Sequence, residues 1–500
     1  MEERTSSRRV VLSLDEGTTG ATSVAVGMDG NVIGKGYKEI TQHFPQPGWV
    51  EHDADEIWAA VQDSARQALA AAGAAPSDVV AIGITNQRET LVVWDRRTLK
   101  PLTRAIVWQD RRTAADCVRL RDGGHEDRVR AVTGLVIDPY FTATKLAWVL
   151  RHVPGAKDAA VGTVDSWLVA RLSAGRDHVT DASNASRTML FDIGRGEWSQ
   201  EMADLFGVSL ANLPEVRDSS GPISTSVSEA FGGVEAPITG IAGDQQAALF
   251  GQACTTVGMA KNTYGTGSFV LAQTGADRVA SKSGMLTTVA WRRSGRLSYA
   301  LEGAIFITGA ALQWLRDGLG LIGSAAEAGP LASSVPDAGG VLMVPAFVGL
   351  GAPYWDPFAR GTIVGLTRGS GRAQMVRSAV EAMAYQTVDV VEAMQGDIGR
   401  PLKELRVDGG AAVMDVLCQF QADLLGIPVR RPRLTETTAL GAAFLAGLGA
   451  GVWTDADLEG LWKLDREFVP VMSRDQAEGL QSQWRRAVER SRSWSLPDNQ

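Results

Sequence analysis

The segment 240–251, Gly-Ile-Ala-Gly-Asp-Gln-Gln-Ala-Ala-Leu-Phe-Gly, carries the residue best suited to chemistry. An apolar run over 238–242 stops at a glycine, and Asp244 stands at the mouth of a predicted helix. A carboxylate at a strand end, followed by Gln245 and Gln246, can accept a proton from a bound hydroxyl. The same position also suits an aspartate that only caps the helix. A second polar pair, Arg88-Glu89, follows a predicted strand over 79–85. A guanidinium donates and a carboxylate accepts, so together they can hold neighbouring hydroxyls. Taken alone, the pair also reads as a surface ion pair of little energetic weight.

Three glycine-rich turns could receive a nucleotide, two of them its phosphates. In Leu-Asp-Glu-Gly-Thr-Thr-Gly, Asp15 ends a strand and Gly17, Thr18, Thr19 and Gly20 follow. Glycines let backbone N–H groups approach phosphate oxygens, and threonine hydroxyls add donors. Asp15 can hold Mg2+, directly or through water, because a hard cation takes oxygen ligands. Tyr264-Gly265-Thr266-Gly267-Ser268 offers a second set of donors. Val407-Asp408-Gly409-Gly410 runs a strand into two glycines and a helix, where a base and ribose could lie against exposed backbone. The P-loop pattern G-x-x-x-x-G-K-[ST], the protein-kinase H-R-D and D-F-G set and the G-x-S-x-G elbow are all missing.

The elements that must carry these turns repeat. Residues 10–26 read strand, Gly-Thr turn, strand, and 257–273 read the same, with Gly17-Thr18 and Gly265-Thr266 at the two tips. Helical patterns over 55–72 and 372–395 alternate with short apolar strands, among them 404–407, which predicts an α/β architecture. Two duplicated domains facing one another are expected, divided as 1–248 and 249–500. The first would supply substrate and phosphate contacts and the base, and the second the nucleotide site.

Composition narrows the class. The chain has 500 residues, 45 % of them hydrophobic, and a formal charge of −8, which disfavours nucleic-acid binding. No run reaches the roughly 18 apolar residues of a membrane span, so no membrane insertion is expected. Three well-separated cysteines, Cys117, Cys254 and Cys418, argue for reduced thiols and a cytoplasmic location. The five histidines form no metal-binding spacing.

The order Asp-x-Gly-Thr-Thr, Gly-Thr-Gly, Asp-Gly-Gly resembles that of two-lobed ATPases of the actin and hexokinase type, built on ribonuclease H-like domains with a cleft between them. Tyr140-x-Thr142-x-x-Lys145-Leu146-x-Trp148-Val149, residues 240–246 and residues 437–443 more closely resemble the FGGY carbohydrate kinases. Residues 85–90 (Thr-Asn-Gln-Arg-Glu-Thr), 108–112 (Trp-Gln-Asp-Arg-Arg), 179–193 and 344–369 are similar to the glycerol-phosphorylating branch of that family. The likeness runs from about residue 9 to about residue 470.

This resemblance implies transfer of the γ-phosphoryl group of ATP, with Mg2+, to glycerol, giving sn-glycerol 3-phosphate, with Asp244 as general base. It implies that Arg88, Glu89, Tyr140, Asp244 and Gln245 contact glycerol, and that Trp108 and Phe269 enclose its carbons. It places Thr18, Thr19, Gly20, Thr22 and Thr266 near the phosphates and Gly309, Gln313, Gly410 and Met414 around the nucleotide. Gly309 also fits plain close packing of helices. A kinase for another small polyol or ketose, and a non-catalytic ATP-binding relative, are the competing readings. A homodimer or homotetramer is expected from the family.

Three positions depart from the family pattern. Glu16 replaces the usual glutamine and brings a carboxylate close to phosphate unless it turns away or approaches the metal. Thr22 stands where many relatives carry arginine, and Met414 where asparagine often faces adenine. These changes predict weaker ATP binding or looser nucleotide choice. Residues 232–237, with Glu235, correspond to a basic loop through which fructose 1,6-bisphosphate inhibits some relatives, so that control is expected to be weak or absent.

Overall fold

Along the first strand, Val10–Glu16, Leu12 and Leu14 face one side and Val11 the other, and all three are fully buried. A strand apolar on both faces belongs in the middle of a sheet covered by helices. In the computed structural model, which describes residues 8–495, that sheet has 13 strands. Val10–Glu16 pairs antiparallel with Gly20–Gly27, and that strand with Val32–Glu39. Val79–Asn86 then lies parallel to the first strand, and Pro237–Gly243 parallel to Val79–Asn86.

The same pattern recurs. Met259–Tyr264, Ser268–Gly275 and Arg296–Ile305 form the second antiparallel set, with Glu404–Asp408 and Val429–Pro432 parallel beyond it. Both sets run third, second, first, fourth, fifth across the sheet. This is the twice-repeated α/β arrangement of ribonuclease H-like domains that the sequence predicts. The two sets meet edge to edge through Ser220–Thr225 and Leu286–Arg293, joined at Ser220 and Arg293.

One face of the first set is covered by the helix Ala54–Ala72. Asp53 caps it by accepting the Asp55 N–H at 2.9 Å, and Gly73 ends it at φ 61°. The other face is covered by Thr437–Gly449, a helix from the far end of the chain. That helix also crosses Asp244–Gly251 backbone to backbone. A Cβ on Gly441 would sit 1.8 Å from the Ala247 carbonyl oxygen, and one on Gly251 2.0 Å from that of Thr437. Hence Gly441→Ala is expected to destabilise the fold by about 1–3 kcal/mol or more, because neither backbone can move aside. Thermal unfolding at unchanged melting temperature would contradict this packing account. No helix among the described residues is long and apolar enough to cross a membrane.

Candidate active site

The strand Pro237–Gly243 ends at the junction of the two halves, and Gly243, not Asp244, occupies the N-cap of the following helix. Gly243 brings no side-chain cap, and the one helix N–H that Asp244 meets is its neighbour's. Its carboxylate accepts the Gln245 N–H at 2.7 Å and lies 3.2 Å from Arg88 Nε, with 31 % of the side chain exposed.

Arg88 and Glu89 follow the strand Val79–Asn86, and Glu89 adopts a left-handed backbone at φ 63°. Such a conformation is costly for a non-glycine residue and persists only where its surroundings enforce it. Here the Glu89 carbonyl accepts from Thr142 Oγ1 at 3.1 Å and Lys145 Nζ at 3.3 Å, and Lys145 also donates to the Tyr140 carbonyl at 2.6 Å. The helix Thr142–His152 thereby fixes both Glu89 and Tyr140.

The charged heads do not form the exposed pair that residue types alone permit. Arg88 donates to Glu302 at 2.5 and 3.1 Å, to Gln246 at 3.2 Å and to the Tyr140 hydroxyl at 3.4 Å. Arg187 bridges Glu89 at 2.7 Å and Glu302 at 2.9 Å. Two arginines and two glutamates thus close a ring whose members are all buried and whose formal charges cancel. Burial opposes ionisation of Glu302, but Arg187 and Arg88 outweigh it and hold its carboxyl down at about 2.

Aromatic side chains wall this ring. Trp108 meets Tyr140 edge to face at 5.6 Å, and its indole N–H donates to Thr18 Oγ1 at 2.9 Å, tying the wall to the first glycine-rich turn. The Phe269 ring lies 5.8 Å from the Arg88 guanidinium. Beyond Trp108, Arg112 pairs with Asp110 and Glu51 and lies 3.7 Å above Trp49, which anchors the segment carrying the wall. Gln245 accepts at its Oε1 from Lys261 Nζ at 2.5 Å.

Gly17-Thr18 and Gly265-Thr266 lie at hairpin tips, as predicted. Gly17 N–H closes the first on the Gly20 carbonyl at 3.0 Å, leaving Thr18 half-buried and Thr19 exposed. Thr22 stands directly across from Asp15 in the hairpin, so the two side chains share one face. Burial first, and then Asp244 and Glu436, push the Asp15 carboxyl up to about 8, with Lys35 opposing. In the second turn, Thr266 accepts at its carbonyl from Thr308 and Ala310 N–H, and Gly309 packs so closely that a Cβ would lie 2.5 Å from the Gly265 carbonyl oxygen. That contact supplies the close-packing role for Gly309 and also seats the helix Gly309–Asp317 beside the turn. Gln313 is exposed one helical turn further on. Gly409 abuts the Tyr264 carbonyl, which brings Gly410 beside the second turn with open space where a side chain would stand. Met414 turns into the core of the second half against Gly329 and is 7 % exposed, leaving only an edge to a ligand.

Glu16 points away from the turns. It is fully buried and accepts from Gln87 Nε2 at 3.0 Å, while its second oxygen has no partner among the described residues. Burial pushes its carboxyl well above the usual range, favouring the neutral acid over the carboxylate. Glu16→Gln should change the KM for a phosphate ligand by less than about threefold, because the side chain is buried against Gln87 and does not face the turn. A raised folded-state pKa means that the native state keeps a proton the unfolded chain has lost. Wild-type stability consequently falls as pH rises above the usual glutamate range, and Glu16→Gln should remove that slope in thermal melts. A slope unaltered by the substitution would overturn the assignment.

Arg187, Glu302 and Lys261 are site residues that residue types alone do not mark. Arg187 lies within the family-like segment 179–193, which was the available signal. Glu302 and Lys261 sit on strands whose pairing brings them in from the second half.

Comparison with known proteins gives a consistent picture. The model of the FGGY family of carbohydrate kinases, N-terminal domain, matches residues 10–251, and that of the C-terminal domain matches 260–450. The chain is 58 % identical over 491 residues to the glycerol kinase of Aromatoleum aromaticum, covering 97 % of this chain and 99 % of that one. It is 56 % identical over 502 residues to the glycerol kinase of Dechloromonas aromatica, with 99 % of each covered. Among solved structures, Plasmodium falciparum glycerol kinase with ADP superposes at a TM-score of 0.92 and 33 % identity, covering 98 % of this chain and 99 % of that one. A xylulose kinase from Rhodospirillum rubrum shares the fold at a TM-score of 0.85 and 24 % identity, covering 96 % and 98 %.

Proposed function

Because the chain belongs to the FGGY family of carbohydrate kinases, we propose that it transfers the γ-phosphoryl group of ATP to glycerol, forming sn-glycerol 3-phosphate, with Asp244 as the general base. The observation that carries this reading is the contrast within the cleft. Glu89 and Glu302 are fixed in the buried ring, whereas Asp244 keeps part of its carboxylate open beside that ring. The full-length similarity to glycerol kinases supports glycerol as the substrate.

Glycerol fits the polarity on offer. Its hydroxyls both donate and accept, and Arg88 and Gln245 present donors while Glu89 and Asp244 present acceptors. Trp108, Tyr140 and Phe269 cover the carbons. Asp244 takes the proton of the terminal hydroxyl as its oxygen attacks the γ-phosphorus in line, and ADP leaves. Most of the rate comes from holding the two substrates in this alignment and excluding water, since phosphoryl transfer asks little covalent chemistry of the protein.

The residues fit a hard cation. Burial first, and then the negative charge of Asp244 and Glu436, keep the proton on Asp15 up to about 8, and a dication beside this carboxyl would displace that proton. Among the described residues no group of three or more acidic, histidine or cysteine side chains is placed to hold a metal ion by itself. A cation held by Asp15 would complete its shell with phosphate oxygens and water. Mg2+ bound there would neutralise the phosphate charge that develops during transfer. Incubation with glycerol, ATP and Mg2+ should yield one ADP per sn-glycerol 3-phosphate, and excess chelator should stop it. ADP formed without a phosphorylated polyol would refute the transfer.

A further inference from the structure

Gln245 ends in an amide with one accepting and one donating atom, and its neighbour decides which end faces the cleft. Lys261 Nζ lies 2.5 Å from Gln245 Oε1 and 2.9 Å from Thr263 Oγ1. An ammonium has only donors, so the amide oxygen must face it and Nε2 must point the other way. Nε2 has no acceptor among the described residues, although the side chain is 8 % exposed and adjoins Asp244. Lys261 is fully buried on Met259–Tyr264, a strand of the second half, whereas Gln245 belongs to a helix that continues a strand of the first. Burial lowers its ammonium to about 8 against the pull of Asp408 and Asp244, so it is mainly charged at neutral pH.

We propose that Lys261 is a positioning residue for substrate specificity, locking Gln245 as a hydrogen-bond donor to a polyol hydroxyl beside Asp244. The inference rests on the reading that Gln245 touches the polyol. It makes the acceptance of a hydroxyl oxygen at that point depend on a lysine that never meets the substrate.

The test compares wild type, Gln245→Ala, Lys261→Met and the double variant by KM and kcat for glycerol, with thermal melts to confirm folding. Gln245→Ala should raise KM about tenfold or more, the worth of one substrate hydrogen bond. Lys261→Met should raise KM with a smaller change in kcat, and its effect should vanish in the Gln245→Ala background. A Lys261→Met penalty that persists undiminished in that background, or an unchanged KM, would overturn the proposal. An unchanged KM in Gln245→Ala would instead refute the contact on which it rests. Gln245→Glu gives a second reading if Lys261→Met does not fold. It keeps the bond to Lys261 but replaces the cleft-facing donor with an acceptor, and should raise KM at least as much as Gln245→Ala. Wild-type glycerol binding by Gln245→Glu would contradict a required donor.

Discussion

Asp244→Asn lowers kcat for glycerol phosphorylation by about 10²–10⁴, the range expected for loss of a positioned general base, and shifts KM for glycerol by less than about threefold. Asparagine keeps the shape and can still accept a hydrogen bond, so glycerol should dock nearly as before. What disappears is an oxygen able to take the proton while the hydroxyl attacks. Stability should hardly change, since the side chain is 31 % exposed and the asparagine oxygen can still accept the Gln245 N–H. Steady-state kinetics with melts on both proteins separate these effects. Turnover within tenfold of wild type would remove Asp244 from the role of base.

Glu302→Gln has the largest expected effect on stability. The substitution leaves Glu89 as the one buried carboxylate between Arg88 and Arg187, with the partly exposed Asp244 beside Arg88, and removing one partner of a buried ion pair costs about 3–5 kcal/mol. The catalytic consequence follows from the same bonds. Without the contacts at 2.5 and 3.1 Å, Arg88 loses the partner that aims its other edge at Asp244. A displacement of about 1 Å at such a group commonly costs about 10²-fold in rate, so kcat/KM for glycerol should fall by at least that factor. The pH dependence checks the cause independently. Because the folded Glu302 carboxyl is held at about 2, below its unfolded value, its contribution is complete above the usual glutamate range and is lost as pH falls towards 2. Glu302→Gln should abolish that component of acid destabilisation. A variant as stable and as active as wild type would show that the ring is not what positions Arg88.

The parts of this site that were legible in the sequence are those set by local chemistry. Gly-Thr pairs between short apolar runs mark hairpin tips, and Gly17-Thr18 and Gly265-Thr266 lie at such tips. The strand-to-helix step at Asp244 was equally visible, although the cap turns out to be Gly243. Contacts fixed by long-range register were not legible. Glu302 reaches Arg88 across 214 residues of chain, and only the pairing of Arg296–Ile305 with its neighbours decides that its side chain points at the ring. Glu16 shows the converse. Its residue type raises concern for the phosphate turn, but strand alternation sends it to the face opposite Asp15. The return of Thr437–Gly449 onto the first half's strands is a tertiary choice that no local pattern announces.

Release of ADP from Mg-ATP, measured with glycerol, with no acceptor, and with a panel of other triols, pentuloses and pentitols, tests the central claim most directly. The account predicts turnover that depends on glycerol, with kcat/KM well above that for any other member of the panel. Background ADP release with glycerol would contradict it. Turnover with a pentulose or pentitol alone would then assign the cleft to another polyol, and silence with every acceptor would leave a nucleotide-binding protein without transferase activity.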